Sequence, residues 1–402
     1  MHRVVITGVG TISGLGPNLN DSWNAALSGK TAIGQLDIPS IQPLRQKLAA
    51  QIHSYKPEDH FSAGELALID RFSQFIILSG REAIADSGID FSTDIAEETA
   101  VLTGSGLGGW ETINESAKKV FYDQKPRVHP FTVPKIMPSA GSSHLTMEYG
   151  ITGPAFTISS ACSSSGHAIG EAFEMVRRGR VKAAVTGGGE APLIYGGIIP
   201  WQALRVMSST ACRPFCKDRD GMILGEGAGM LVLEEYEYAK SRGARIYGEL
   251  CGYGLSSDAG DIVDPSPDGA AKSVRKCLVD AQLNPEDVTY INAHGTGTTA
   301  NDRTETSAIR QVFGSAVDDV WVSSTKSLHG HALGGAGAIE LALTVRALES
   351  GILPPTVNFT EADEECQLRH VANEPVETKV KAVISNSFAF GGLNATLAIK
   401  AI

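Results

Sequence analysis

The sequence predicts an α/β protein made of two loosely similar halves, each a succession of strand, glycine turn and helix. Three observations support this. Apolar strand-like runs alternate with helical stretches along the chain, the pattern of a sheet covered on both faces. The strands end in small-residue turns, among them Gly104-Ser105-Gly106-Leu107-Gly108-Gly109 and Gly187-Gly188-Gly189-Glu190. The alternation starts afresh near Arg245, dividing the chain into residues 1–244 and 245–402. A chain of 402 residues is long enough for two domains or one large double core.

Residues 3–16, RVVITGVGTISGLG, read as a strand entering a glycine turn. A dinucleotide fingerprint would need glycine at 13, where Ser13 stands, and the related Thr-Gly spacing would need it at Ile12, so the turn is read as structural. Asp21 is expected to cap a helix over 22–27, and residues 30–60, with Pro39, Pro43 and Pro57, are expected to be irregular. Apolar spacing predicts one long helix over 64–86, with Leu66, Ile69, Phe72, Phe75, Ile76 and Leu78 inward. A strand at Thr99–Leu102 follows, then a helix, a loop and a helix over 112–150; the loop Lys125–Pro130 is basic, proline-rich and expected to be exposed. Strands are predicted at 155–160, Ala183–Thr186 and Met230–Leu233. The second half reads as strand Ile246–Cys251, helix 268–282, strand Val288–Asn292, helix 302–313, strand Val320–Ser323, helix 335–350 and strand 382–385.

Composition excludes several function classes. The net charge is −11 and cations form no runs, which argues against nucleic acid; an acidic protein partner would need a local basic patch. No run of ~18 apolar residues suggests a membrane span, and the first residues read as a strand rather than a signal peptide, so a cytoplasmic location is expected. The six scattered cysteines are expected to be free thiols. Cys212 and Cys216 make a poor zinc half-site, and no metal is expected.

The chemistry centres on Thr157-Ile158-Ser159-Ser160-Ala161-Cys162-Ser163-Ser164-Ser165-Gly166-His167. Ile169, Ala172, Phe173 and Val176 then recur at helical spacing, and Arg177 and Gly179 mark the helix end. Cys162 is thus predicted at a helix N-terminus, where free N–H groups and the dipole favour a thiolate nucleophile; an inert buried cysteine is the alternative. Three further turns follow strands: Asn292-Ala293-His294-Gly295-Thr296-Gly297-Thr298, Ser324-Thr325-Lys326-Ser327-Leu328-His329-Gly330-His331, and Ser385-Asn386-Ser387-Phe388-Ala389-Phe390-Gly391-Gly392. Ligands of doubly covered sheets bind at strand carboxyl ends, so these turns could converge on Cys162. A cysteine can hold an acyl group, while two neutral imidazoles can donate to a developing enolate.

ACSSS at Cys162, RPFCKDRDGMILGEGAG from Arg213, NAHGTGT at His294, TKSLHGH to His331 and NSFAFGG at Phe390 together resemble the β-ketoacyl-acyl carrier protein synthases of the Cys-His-His type, closest to the type II elongation enzymes, over essentially the whole chain. The resemblance implies a thiolase fold, a five-layer α-β-α-β-α sandwich of two pseudo-duplicated halves. It implies decarboxylative condensation of an acyl-Cys162 with a malonyl carrier thioester, with His294 and His331 stabilising the enolate. By the same resemblance Lys326 and Glu305 form an ordering ion pair, and the N–H groups of Cys162 and Phe390 form an oxyanion hole. Phe390 is also a gate, Thr296, Thr298 and Phe388 bind the substrate arm, Leu107 lines the acyl pocket, Lys125, Arg127 and Arg205 dock the carrier, and His329 is structural. The implied partners are acyl carrier protein and a second subunit, identical or ketosynthase-like. No cofactor is implied, because phosphopantetheine arrives on the carrier.

The sequence departs from the family pattern in places. Ala-Cys-Ser-Ser replaces the common Ala-Cys-Ala-Thr, Cys216 replaces an aspartate, and Ala67 and Leu68 stand where docking cations are frequent. Both a housekeeping elongation role and a specialised one, of nodulation-factor or aryl-polyene type, are therefore kept. A thiolase would want a second cysteine near Phe390, and a chain-length-determining partner subunit would typically lack Cys162.

Overall fold

The computed structural model describes residues 1–39 and 42–402; residues 40 and 41, within the stretch expected to be irregular, lie outside the described residues. Eleven strands form the main sheet: β1 (Val4–Ser13), β2 (Thr99–Gly104), β3 (Ala155–Ile158), β4 (Ala183–Glu190), β5 (Gly227–Glu235), β6 (Gly248–Ser257), β7 (Val288–Asn292), β8 (Trp321–Ser323), β9 (Arg369–His370), β10 (Ala382–Ala389) and β11 (Leu393–Lys400). Their spatial order is β9-β8-β7-β10-β11-β6-β1-β5-β4-β2-β3.

This order contains the same unit twice. In the first half the order is β3-β2-β4-β5-β1; in the second it is β8-β7-β10-β11-β6, with β9 added at the edge. Directions agree too. The β2–β3 and β2–β4 pairs are parallel, as are β7–β8 and β7–β10, while β4–β5, β5–β1, β10–β11 and β11–β6 are antiparallel. The halves join where Val4–Ile6 pair with Gly248–Leu250.

The longer helices are α1 (Leu19–Leu27), α2 (Arg71–Ser87), α3 (Trp110–Ala117), α4 (Ala140–Tyr149), α5 (Ser164–Arg177), α6 (Tyr195–Leu204), α7 (Pro267–Ala281), α8 (Thr299–Phe313) and α9 (Ala336–Ser350). Helices α5 and α9 lie between the two sheet halves and touch both. Helix α2 covers the outer face of the first half, and α7, with α8 packed against it, covers the second. The result is the five-layer sandwich. Because α9 is sandwiched, it is apolar nearly all round, and Leu341, Ala342, Leu343 and Val345 are fully buried.

Local chemistry accounts for the departures from the expected elements. The helix predicted over 64–86 is broken: a short turn at Ala63–Leu66 precedes α2, which begins only after Asp70. The Asp70 carboxylate caps α2 through Phe72 N–H and also accepts Thr112 N–H at 2.8 Å, so the buried carboxylate fixes the break. Asn18, not Asp21, caps α1, by accepting Asp21 N–H at 2.9 Å. Helix α6, which contains Pro200, and strand β11 had no sequence prediction.

Close backbone approach places the Cys162 turn. A Cβ on Gly104, at the end of β2, would lie 2.3 Å from both Ser164 C and Ser165 N, in the first turn of α5. Gly104→Ala must therefore push α5 off the sheet, and a loss of ~1–3 kcal/mol in chemical denaturation is expected, as for overpacked cores; an unchanged midpoint would contradict the close approach.

Candidate active site

The residue before the nucleophile, Ala161, has φ of 51°, a left-handed conformation rare outside glycine. It swings the chain from β3 into α5 and leaves Cys162 just ahead of Ser163, the N-cap. Ser160 Oγ and His167 Nδ1, 2.7 Å apart, tie the turn to the helix it starts. Neither Cys162 N–H nor Phe390 N–H donates to another residue's backbone among the described residues, which leaves both open to an incoming oxygen.

Cys162, His294 and His331 line one cavity of about 690 Å³ including its mouth, together with Phe388, Phe390 and Thr296. The three side chains that chemistry requires are buried, at 8%, 3% and 2% exposure respectively. The imidazoles of His294 and His331 meet edge to face, with centroids 5.4 Å apart.

Hydrogen bonds fix both tautomers. Lys326 Nζ lies 3.3 Å from His294 Nδ1 and can only donate to it. Leu333 N–H donates to His331 Nδ1 at 3.2 Å. Each ring therefore carries its proton on Nε2. Burial pushes both imidazoles well below the usual histidine range, and Lys326 pushes the same way. They are neutral N–H donors at physiological pH, suited to a developing enolate oxygen.

The thiol departs from expectation. Burial pushes Cys162 from an ordinary value near 9 up to about 12; Lys326 pulls it down, while Glu190 and Glu340 push it further up. Such a rise corresponds to ~4 kcal/mol. A helix N-terminus offers ~0.3–1 kcal/mol, and up to ~2 in favourable cases, which does not offset it. The resting nucleophile is thus a thiol, not the thiolate predicted from the helix end. Alkylation of Cys162 by an uncharged reagent is expected to be slow at about pH 7 and to climb without levelling to about pH 10, read by peptide mass; a plateau below about pH 8 would reveal a thiolate.

The expected ion pair is also corrected. Lys326 pairs with Glu340 of α9, both fully buried, and not with Glu305. Glu305, on α8 beneath the His294 turn, instead accepts His294 N–H at 2.8 Å, Gly295 N–H at 2.7 Å and Asn386 Nδ2 at 3.1 Å. Its oxygens are committed to holding that turn, while Glu340 projects from the sandwiched helix onto the ammonium. A lone carboxylate in AGAIELALTVRAL was the available signal, since a buried charge needs a partner.

The remaining candidates fall in three groups. Thr296 and Thr298 line the cavity with Oγ1 atoms 2.8 Å apart, and Phe388 packs 6.1 Å from His294, centroid to centroid. Phe390 stacks on Trp201 at 5.9 Å; Trp201 was missed because α6 was not predicted. Leu107 is not on the cavity wall but packs in the apolar cluster that contains Cys162, Leu193, Ile198 and Leu333. Lys125, Arg127 and Arg205 are exposed; Arg205 ends α6, next to Val206 of the cavity wall. His329 is fully buried, with Nε2 3.0 Å from Thr325 Oγ1, and does not line the cavity.

A thiol and two neutral imidazoles enclosed on a duplicated α/β scaffold define a thiol-dependent acyl-transfer enzyme. The chain belongs to the β-ketoacyl synthase family: residues 1–239 match the N-terminal domain and residues 247–360 the C-terminal domain of that family. It is a condensing enzyme of the acyltransferase type. It is 43% identical to "Nodulation protein E" of Rhizobium leguminosarum bv. trifolii, with 100% of both chains covered. It is 40% identical to "3-oxoacyl-[acyl-carrier-protein] synthase 2" of Staphylococcus aureus (strain COL), covering 99% of this chain and 98% of the relative. Among solved structures, "the ishigamide ketosynthase/chain length factor" superposes with a TM-score of 0.95 at 33% identity, over 100% of this chain and 99% of that one.

Proposed function

We propose that the chain extends an acyl group by decarboxylative condensation, with Cys162 as nucleophile and His294 and His331 as the enolate's donors. The observation that carries this is the shared cavity in which both imidazoles are held neutral with Nε2–H free. In the first step Cys162 Sγ attacks an acyl carrier thioester; its proton ends on the departing carrier thiol, and the N–H groups of Cys162 and Phe390 hold the oxyanion. In the second, a malonyl carrier thioester loses CO2, the two Nε2–H groups stabilise the enolate, and its carbon attacks the acyl-Cys162 carbonyl. The 3-oxoacyl carrier thioester leaves, and the expelled Cys162 sulfur takes up one proton, which its burial favours. No negatively charged base is needed, because the carboxylate departs as fixed donors meet the nascent oxygen in a dry site.

Thr296 and Thr298 would hold the phosphopantetheine arm, which is part of the substrate, so no resident cofactor is invoked. Lys125, Arg127 and Arg205 would receive an acidic carrier against an overall charge of −11. A second subunit, identical or ketosynthase-like, would cover the edge strand β3, where Phe156 is 43% exposed. No helix among the described residues is long and apolar enough to cross a membrane, and we place the reaction in the cytoplasm. The likeness to a nodulation protein and the uncharged Ala67 and Leu68 favour a specialised acyl chain over housekeeping elongation.

Purified protein supplied with acyl and malonyl carriers is expected to release one CO2 per 3-oxoacyl carrier formed. Release of CO2 without condensation would instead indicate a decarboxylase or half of a heterodimer.

A further inference from the structure

We propose that Glu190 is a positioning residue that ties the Leu107 loop to the His331 turn, and thereby sets acyl-chain selectivity; this rests on the condensing role given above. Glu190 ends β4 and is fully buried. Among the described residues it has no cationic partner, yet four donors converge on it. Its Oε1 accepts Ser105 Oγ at 2.9 Å and Leu107 N–H at 3.2 Å; its Oε2 accepts Gly106 N–H at 2.7 Å and Gly334 N–H at 3.2 Å. The first three donors belong to the loop after β2, whose Leu107 packs in the cluster around Cys162. Gly334 belongs to the turn after His331, beside the Leu333 N–H that fixes the His331 tautomer.

A carboxylate also holds the corresponding turn in the other half, though from a different element, helix α8 rather than a strand end. Glu305 holds the turn after β7 through the adjacent N–H groups of His294 and Gly295. Glu190 holds the turn after β2 through those of Gly106 and Leu107. One carboxylate thus fixes the turn that carries His294, and the other joins the Leu107 loop, packed in the Cys162 cluster, to the turn after His331. A buried carboxylate without a cation is costly, and replacing it with an apolar side chain would be the simpler way to fill space.

Glu190 also acts on the nucleophile through its charge. The groups bearing on Cys162 are Lys326, which favours the thiolate, Glu190 and Glu340, which oppose it, and the imidazoles of His294 and His331, which share its cavity. Burial pushes Glu190 itself up to about 7, with its four donors opposing. Its charge adds to burial, the larger cause, in keeping the Cys162 thiol protonated.

Glu190→Gln separates these effects. An amide presents one oxygen only. With that oxygen kept on Gly106 and Gly334, the NH2 can donate to Ser105 Oγ but faces Leu107 N–H, so the Leu107 attachment is lost while the His331 turn stays held. Acyl-Cys162 formation, followed by intact mass with a series of short to long acyl carriers, is expected to persist for short chains while the long-to-short preference shifts ~10-fold. Iodoacetamide alkylation of Cys162 at about pH 8 is expected to rise ~3-fold or more, because an opposing negative charge is gone. A merely structural role would change melting temperature without moving the chain preference. If Glu190→Gln does not fold, Ser105→Ala, which removes one Oε1 donor and the acceptor of Gly108 N–H at 3.0 Å, is expected to shift the same preference ~3-fold. An unchanged chain preference in the folded variant overturns the proposal. Wild-type protein that forms no acyl-Cys162 overturns the condensing role itself, and the proposal with it.

Discussion

Cys162→Ala is expected to fold and to take up no acyl group. The side chain is small and buried in a cluster with Ala389, Leu193 and Leu333, so removal of one sulfur leaves only a small void. Incubation with an acyl carrier should add no mass to the variant, whereas wild type should gain one acyl group on the peptide containing Cys162. The imidazoles are untouched by the change, each held by its own donor, Lys326 or Leu333. Release of CO2 from a malonyl carrier is therefore expected to continue while condensation disappears. Persistent acylation would place the nucleophile elsewhere, and none of the other five cysteines lines the cavity.

Lys326→Met is expected to damage both stability and turnover. It strands Glu340, fully buried and paired among the described residues with this ammonium alone, and breaking a buried ion pair costs ~3–5 kcal/mol. It also removes the donor that fixes the His294 tautomer, so turnover is expected to fall ~10²-fold or more. The stability loss should depend on pH. Burial already raises Glu340 to about 7 with Lys326 opposing, and without the lysine its proton is held more tightly still. Both proteins then lose stability as pH rises from an ordinary carboxylate value towards 7, but the variant goes on losing it beyond, so its deficit grows above about pH 7. Denaturation at several pH values checks this; a deficit that does not grow with pH would mean that Glu340 finds another partner. Adding Glu340→Gln should recover stability but not turnover, since His294 Nδ1 still lacks its donor.

The sequence was most legible where patterning and local chemistry act together. The strand Val288–Asn292 is found at its predicted bounds, and the helices near 267–281 and 336–350 within a residue. Both elements following Cys162 and His294 could be placed because small residues mark the turns after buried strands. What failed depended on distant parts of the chain. The break before α2 is made by Asp70 bonding to Thr112, forty-two positions away. The Lys326 partner differs from the expected one because Glu305 and Glu340 are both fully buried carboxylates, and only coordinates tell which one faces the ammonium and which accepts backbone N–H groups. The thiolate expectation failed because the helix N-terminus can be read from sequence, whereas the depth of Cys162 in a closed cavity cannot. Glu190 was visible only as the end of a glycine turn; its four donors come from two loops separated by more than two hundred residues.

One cavity divides the labour, Cys162 carrying the acyl group and two neutral imidazoles carrying the decarboxylation. The direct test is intact mass of the His294→Ala/His331→Ala double variant, first with an acyl carrier and then with a malonyl carrier. Cys162 is expected to become acylated and to stay so after malonyl carrier is added, with no CO2 and no 3-oxoacyl product. Discharge of the acyl group into a 3-oxoacyl carrier by that variant would contradict it.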